Sequence, residues 1–585
     1  MKYPVEKLES RRLLATFTVT STADAGAGSL REAIGLANAS VGADEIVFDL
    51  GGDATVLLSS GSIDVTDGLM IAGPGNAEVT IDAQQTSSIF RASATAGTFE
   101  VRDLSLSNGS AVSAGGAVSA ENDTNLTLTR VRLLNNTAGG NGGAVAAAGQ
   151  TIVISDCYFE GNTAAGSGGA VATGSAQFDT LSVSGSEFIG NTSISGGAIL
   201  AQRPSMISAS RFQDNVARRG GALTLTAPVD PDNQIPNEIK DSEFAGNRAE
   251  LSGGAIEAYF ASTLIFSSRF IDNQVASTGQ TQIFGGAITA SLMRRFEVHN
   301  SEFTGNTAAA DVDDAPDLAT GGAMSLHLIE AGLLLVNNTL TGNQAARGGA
   351  IRISDTPLAA LSHNTITQNT SPATAAVDIL ASFNSVRIEL AGNIIAGNAS
   401  ASGPEDYFES VADGANVTTE HAFFGVNLLG SQFASDPAAT GQLIADDPEL
   451  LPLNFYGGDS RIMPPAPATG LDAGSPAYNG GDQAFAVSAG LDGAIGTADD
   501  VPLTTDQRGF PRVAYGQVDL GAAEFVLQGD ANLDGTVDLS DFVILRNNFG
   551  SGSLFSQGDF NGDGQVDLAD FVILRNNFGE TIDDD

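Results

Sequence analysis

Tryptophan is absent from the 585 residues, cysteine occurs once (Cys157), and lysine occurs only as Lys2, Lys7 and Lys240. A single cysteine excludes an intrachain disulfide and, with it, the small disulfide-stapled scaffolds. No run of about 18 apolar residues occurs, which excludes a transmembrane helix. Basic residues number 26 against 69 acidic ones, so the formal net charge is −43. Such a surface repels phosphate backbones and anionic lipid, so neither nucleic acid nor a membrane surface is an expected partner. Calcium is the partner that this charge favours. Glycine, by contrast, is abundant: 70 residues, with no collagen period. The length suggests about two to four domains, and 42% hydrophobic residues supply a large core.

The ordering principle is a repeat. Gly-Gly-Ala followed by an apolar residue begins at Gly115, Gly142, Gly168, Gly196, Gly220, Gly253, Gly285, Gly321 and Gly348. Between these copies an apolar residue precedes an asparagine by three places. The pairs are Phe159/Asn162, Phe188/Asn191, Phe212/Asn215, Phe244/Asn247, Phe270/Asn273 and Phe303/Asn306. Leu133/Asn136, Leu340/Asn343, Ile366/Asn369 and Ile395/Asn398 are degenerate copies. The segments between alternate with period two, as in Thr-Ile-Val-Ile-Ser at 151–155, which marks short strands. Asparagine tolerates the left-handed conformation and is expected at a tight corner. No single copy buries its apolar face; stacking copies about 4.8 Å apart does. This predicts an all-β parallel β-helix.

Gly-Gly-Ala-Ile with Phe-x-x-Asn resembles the repeat of the polymorphic outer-membrane proteins and related surface proteins, over roughly residues 100–400. The resemblance implies a right-handed, pectate-lyase-like solenoid. Ser29-Leu30-Arg31-Glu32-Ala33-Ile34 is similar to the helical cap motif ahead of many bacterial β-helices, with Gly28 where a cysteine often stands. Leu8-Glu9-Ser10-Arg11 followed by Leu13-Leu14 resembles an N-terminal element of exported bacterial proteins, Ser10 replacing the usual proline; the other reading is a disordered basic tail. Asp506, Arg508, Arg512 and Asp519 lie in a region that resembles the choice-of-anchor Q segment and are expected to form an ion-pair network closing the last rungs. Asp492 to Asp500 is a glycine-spaced acidic loop, either calcium-binding or simply solvated.

The C-terminus carries the one constellation with defined chemistry. Asp530, Asn532, Asp534, Thr536, Asp538 and Asp541 occupy positions 1, 3, 5, 7, 9 and 12 of an EF-hand loop. Asp559, Asn561, Asp563, Gln565, Asp567 and Asp570 repeat that schedule 29 residues later. Gly535 and Gly564 sit at the sharp turn, Thr536 and Gln565 would offer backbone carbonyls, and position 12 is Asp instead of Glu. Each loop runs into Phe-Val-Ile-Leu-Arg-Asn-Asn-Phe-Gly. Two such loops, each with a following helix, resemble a type I dockerin domain, a small helical domain that binds two Ca²⁺ and a cohesin partner. The resemblance implies that Leu539, Ser540, Arg546 and Asn547, with Leu568, Ala569, Arg575 and Asn576, read the partner. The duplication implies two docking orientations. Phe542, Ile544, Leu545 and Phe549, with Phe571, Ile573, Leu574 and Phe578, are expected to form the small core between the helices.

No catalytic residue is assigned. Paired carboxylates of a glycosidase do not recur on repeat strands, and His299, His327, His363 and His421 share no repeat phase. Insertions at 227–238, 276–284 and 308–320 could gather a binding face lined by Asp230, Asp232, Asp311, Asp313, Asp314 and Asp317. The expected organisation is an export-like segment at 1–16, an N-terminal cap at 17–60, and β-helix repeats at 61–424. C-terminal rungs follow at 425–526 and a dockerin-like domain at 527–580. The expected function is an extracellular or cell-surface structural or adhesion protein held by a calcium-dependent dockerin–cohesin contact. The alternative is a polysaccharide lyase or glycoside hydrolase carried by the same tail, with polysaccharide as its partner.

Overall fold

The computed structural model describes all residues except 1–13, 150, 175–179, 227–234, 278–281, 311–317, 402, 404, 413–414, 459, 468–473 and 583–585. Most of the export-like segment therefore lies outside the described residues, as do Asp230, Asp232, Asp311, Asp313, Asp314 and Asp317. The chain is a parallel β-solenoid that divides into two compact units, 1–194 with 198–203 and 195–197 with 204–585.

In the first unit each coil contributes one short strand to each of three parallel sheets. Asn125–Thr129, Arg132–Leu134 and Val145–Ala147 make one coil. The next coil pairs with it in register, Leu126 opposite Ile152, Leu133 opposite Phe159 and Val145 opposite Val171. Alternation puts Leu126, Leu128, Ile152 and Ile154 wholly inside, each stabilising the fold by about 1.5–3 kcal/mol. Phe159 and Phe188 stack with ring centres 4.6 Å apart and planes 7° from parallel. Helix α1 (Leu30–Ala39) buries Leu30, Ala33, Ile34 and Ala37 against the first strands. Ser29 caps it, its hydroxyl accepting the Glu32 N–H at 3.2 Å. At Gly28 the backbone is left-handed (φ +74°), where a side chain is strained, and a Cβ would meet Thr20 Oγ1 at 2.4 Å unless that hydroxyl moved.

The repeat asparagines do not occupy the left-handed corner expected of them. That conformation belongs to the residue before each: Asn135, Gly161 and Gly190 have φ of 53°, 65° and 60°. Asn136 and Asn162 instead point inward, fully buried. Asn136 donates both its backbone N–H and its Nδ2 to Asn162 Oδ1 at 3.0 Å, and Nδ2 also reaches the Leu106 carbonyl at 3.1 Å. Asn162 repeats this with Asn191. The glycine pairs solve a closer approach: Gly142 has φ +67°, and a Cβ on Gly143 would lie 2.0 Å from the Gly169 carbonyl oxygen. Cys157 is a corner residue of the same kind. Its Sγ accepts the Val131 N–H at 3.5 Å and its own N–H donates to Ser186 Oγ at 3.0 Å. Burial pushes its thiol up to about 12.

The second unit repeats the three-sheet coil. Phe212, Phe244, Phe270 and Phe303 stack at centroid spacings of 4.8, 4.9 and 4.6 Å. Beside them Asn215, Asn247, Asn273, Asn306, Asn343, Asn369 and Asn398 form one continuous amide ladder. It ends on Asp406, whose Oδ1 accepts from Asn398 Nδ2 at 2.7 Å and whose carboxyl burial pushes up to about 6. A second corner column begins as Ser210, Ser242, Ser268 and Ser301 and changes to Asn338, Asn364, Asn393 and Asn427.

After Leu443–Ile444 the chain stops adding rungs and turns back along the outside of earlier ones, where closing rungs were expected. Ala489 and Ile495 pack on Leu334, Val336, Ala360 and Ala391, outward residues of the first sheet. On the second sheet, Arg461 N and Nε donate to Glu302 at 2.9 and 2.7 Å, and Gln507 Oε1 accepts from Thr339 Oγ1 at 2.6 Å. Of the expected ion-pair network, Asp506 pairs with Arg508 at 2.6 Å, but Arg512 pairs with Glu524 at 3.2 Å. Asp519 joins no ion pair among the described residues. Its carboxylate accepts the Asn479 and Phe525 N–H groups, each at 2.6 Å, and burial pushes it up to about 6.

Asn273→Ala strands the amide groups of Asn247 and the Phe244 carbonyl, at about 1–3 kcal/mol for each buried group left unpaired. Denaturant unfolding should show a loss within or above that range, while Cys157→Ser, which puts a hydroxyl in the thiol's place as at Ser186, should stay within about 1 kcal/mol of the parent. His421 lies between Glu409 Oε1 (2.9 Å) and Asp436 Oδ2 (2.7 Å), and the hydrogen bond to Glu409 holds it above its ordinary 6.5. A raised histidine stabilises fully below its unfolded value and loses that contribution as pH rises through the folded one. Thermal melts of the parent and His421→Gln should therefore differ most below pH 6.5 and converge at alkaline pH.

Candidate functional site

The two acidic loops lead into α2 (Leu539–Asn548) and α3 (Leu568–Asn577). Each helix begins with a capping box: Asp538 with Asp541, and Asp567 with Asp570. Two acidic residues of each loop thus serve both the helix start and the expected ligand schedule. In the first loop Asp530 accepts the Gly535 N–H at 2.9 Å and Asp541 accepts the Asp538 N–H at 2.8 Å. In the second, Asp559 and Asp570 accept the equivalent Gly564 and Asp567 N–H groups at 2.9 and 2.8 Å. Position 3 meets position 5 in both, Asn532 Nδ2 to Asp534 at 2.8 Å and Asn561 Nδ2 to Asp563 at 2.9 Å.

Positions 1 and 12 of both loops are buried, with Asp530, Asp541 and Asp570 wholly inside and Asp559 2% exposed. Burial pushes Asp530, Asp541 and Asp559 above the usual carboxylate range, and Asp530 and Asp541 repel each other. None of the four pairs with a cationic side chain among the described residues. Asn532, Asp534, Asp563, Gln565 and Asp567 are exposed; Thr536, Asp538 and Asn561 are half-buried. Among the described residues no three acidic, histidine or cysteine side chains converge on one point. The loops bring the predicted ligands together in pairs, not as a closed coordination shell. The Asp492–Asp500 loop likewise turns its acids onto itself: Asp492 caps Ala494 N and Asp500 caps Gly496 N.

All eight partner-reading residues are exposed: Leu539, Ser540, Arg546 and Asn547 on α2, and Leu568, Ala569, Arg575 and Asn576 on α3. The two helices match closely, with Leu539 and Leu568 exposed by 66% and 67%. Phe549 and Phe578 lie outside the core expected for them, exposed by 52% and 53%, because each follows the last helical residue and turns away. Leu545 and Leu574 are buried, and Phe542 meets Phe571 edge-on at 5.9 Å.

The core does not end at the helices. Phe510, Ala514, Val526 and Leu527 from the preceding segment share it with Val537, Phe555, Phe560 and Val566. Phe510 lies 4.3 Å from Phe555, and Gly458 N donates to the Asn561 carbonyl at 2.7 Å. Tyr515, which sequence reasoning missed, donates its hydroxyl to Asp530 at 3.1 Å and accepts the Leu527 N–H at 2.9 Å. No motif marks it; only the fold brings residue 515 to the first loop.

These features define a β-solenoid whose C-terminal tail is a duplicated loop–helix unit. Residues 528–579 match the dockerin type I domain, and residues 156–174 match the Chlamydia polymorphic membrane protein repeat. No curated protein matches the chain. Among solved structures, tailspike protein 3 of bacteriophage CBA120 is 15% identical with a TM-score of 0.37; the match covers 76% of this chain and 63% of the tailspike. The surface adhesin PfbA of Streptococcus pneumoniae is 11% identical with a TM-score of 0.31, over 71% of this chain and 90% of the adhesin. The A-module of the Azotobacter vinelandii mannuronan C-5 epimerase AlgE6 is 12% identical with a TM-score of 0.29, over 74% of this chain and all of that module. At scores this low none of them bears on what this chain does.

Phe555→Ala should cost about 3–5 kcal/mol, the usual range for a buried phenylalanine. Hydrogen exchange should then speed up across 528–579 and across 505–527 together, because one core serves both segments.

Proposed function

We propose that this is an extracellular or cell-surface β-solenoid display or adhesion protein, held in place by its C-terminal dockerin domain through a cohesin-type partner. The observation that carries the reading is the pair of near-identical helices with matched exposed faces, within the segment that matches the dockerin type I domain. Exposed arginines at equivalent places on the two helices, Arg546 and Arg575, are of a type enriched at binding hot spots and favour a docking face.

The donor set suits calcium. At positions 1, 3, 5, 9 and 12 both loops offer only carboxylate and amide side-chain oxygens, and Thr536 and Gln565 would add backbone carbonyls, all ligands that a hard divalent cation takes. The buried, unpaired carboxylates at positions 1 and 12 supply negative charge that such a cation would neutralise. Asp530, Asn532, Asp534, Thr536, Asp538 and Asp541 would hold one ion; Asp559, Asn561, Asp563, Gln565, Asp567 and Asp570 would hold a second. Bound calcium would supply charge neutralisation and rigidity, fixing the loops that precede α2 and α3. The likeness of the helices supports two docking orientations related by a pseudo-twofold.

Surface plasmon resonance against immobilised type I cohesins tests this. Binding should require calcium, vanish in EGTA, and be lost in the Asp534→Ala, Asp563→Ala double variant. Charged replacements at Leu539 and Ser540 alone, or at Leu568 and Ala569 alone, should change affinity by less than about tenfold, whereas all four together should abolish it. Binding that survives EGTA would overturn the reading, and loss of binding on altering α2 alone would remove the two-orientation model.

A further inference from the structure

In the second unit the returning segment covers outward residues of the first and second sheets. Along the outer side of the third sheet the described residues line a groove of about 380 Å³. That volume lies within the roughly 300–1,000 Å³ of small-ligand sites. Two outward columns form its floor. One runs Glu257, Thr289, Ser325 and Arg352; the other runs Tyr259, Ser291, His327 and Ser354. From Tyr259 to Phe383 the groove crosses five successive strands, about 19 Å at about 4.8 Å per step.

Its two ends are aromatic. Tyr259 is 38% exposed and Phe383 is 79% exposed. Phe383 sits on a turn that is held in place: the buried Asp355 accepts the N–H groups of Ser382, Phe383 and Asn384 at 2.7, 2.7 and 3.2 Å. A buried carboxylate thus fixes a turn whose tip presents a bare ring to solvent. Between the ends the floor is rich in hydroxyls, and its charges balance. Arg219 meets Glu257 at 3.0 Å, and Ser252 donates to the same carboxylate at 2.7 Å. Arg352 pairs with the buried Asp378. His327 bonds to Ser354 Oγ at 2.9 Å and lies 3.8 Å from Asp355, and burial lowers its basicity.

We propose that this groove binds a neutral oligosaccharide. A sugar ring offers an apolar C–H face and a rim of hydroxyls. Exposed aromatic rings take the first; paired Arg and Glu groups with neighbouring serines present donors and acceptors to the second. Local charge balance on a chain of net charge −43 disfavours acidic glycans, which the surrounding field repels. This reading does not depend on the dockerin domain.

Isothermal titration of the full chain against cellohexaose, xylohexaose, mannohexaose and oligogalacturonate tests it. At least one neutral hexaose should give saturable heat, and oligogalacturonate none. Phe383→Ala and Tyr259→Ala, both at exposed side chains, should each weaken binding by about tenfold or more, with thermal melts unchanged. No heat with any neutral hexaose, an unchanged affinity in the double variant, or a preference for oligogalacturonate would overturn the proposal.

Discussion

A coiled chain must satisfy inward-facing backbone N–H groups at its corners, where no strand neighbour serves them. Here buried asparagine amides do so, rung after rung. Each Oδ1 accepts from the backbone and the amide of the preceding rung, and each Nδ2 reaches back to a carbonyl. A buried amide is costly unless fully paired, so every asparagine depends on the next. The phenylalanine stack lies in register beside the ladder, and the glycine pairs allow the coils to close at the spacing that both require. The left-handed residue before each asparagine aims it inward. The two columns end on Asp406 and Gln442, and the coil adds its last strand at Leu443–Ile444.

Past that point the chain gains its burial differently. Residues after 445 turn back over apolar outward positions of earlier coils and fix themselves with buried ion pairs and carboxylate caps. Leu334 and Val336, which on an open sheet would face water, are buried as a result. The dockerin segment then shares its core with this returning strap. A helical pair of this size is marginal alone; Phe510, Ala514 and Val526 enlarge the core that it packs on.

The acid-rich composition divides by location. Much of the late acid sits in two loops, where buried carboxylates face each other without cationic partners. In the solenoid, Arg219, Glu257, Arg352 and Asp378 instead neutralise one another along an outward face. Charge is therefore left uncompensated in the loops and paired along the solenoid face.

Periodic features were legible from the residues alone. Period-two strands, the phenylalanine stack, the glycine corners and the loop–helix duplication all repeat in sequence, and repetition exposes a constraint that each copy shares. The role of the asparagines was half legible: their spacing was plain, but one residue of offset decides whether a side chain turns the corner or points inside it. Contacts made once across long separations left no trace in the pattern. Tyr515 reaches Asp530, Arg512 pairs with Glu524 from outside the expected network, and Asp355 fixes the turn that carries Phe383. Such contacts exist only after the coils are stacked and the strap is laid down, so tertiary structure alone decided them.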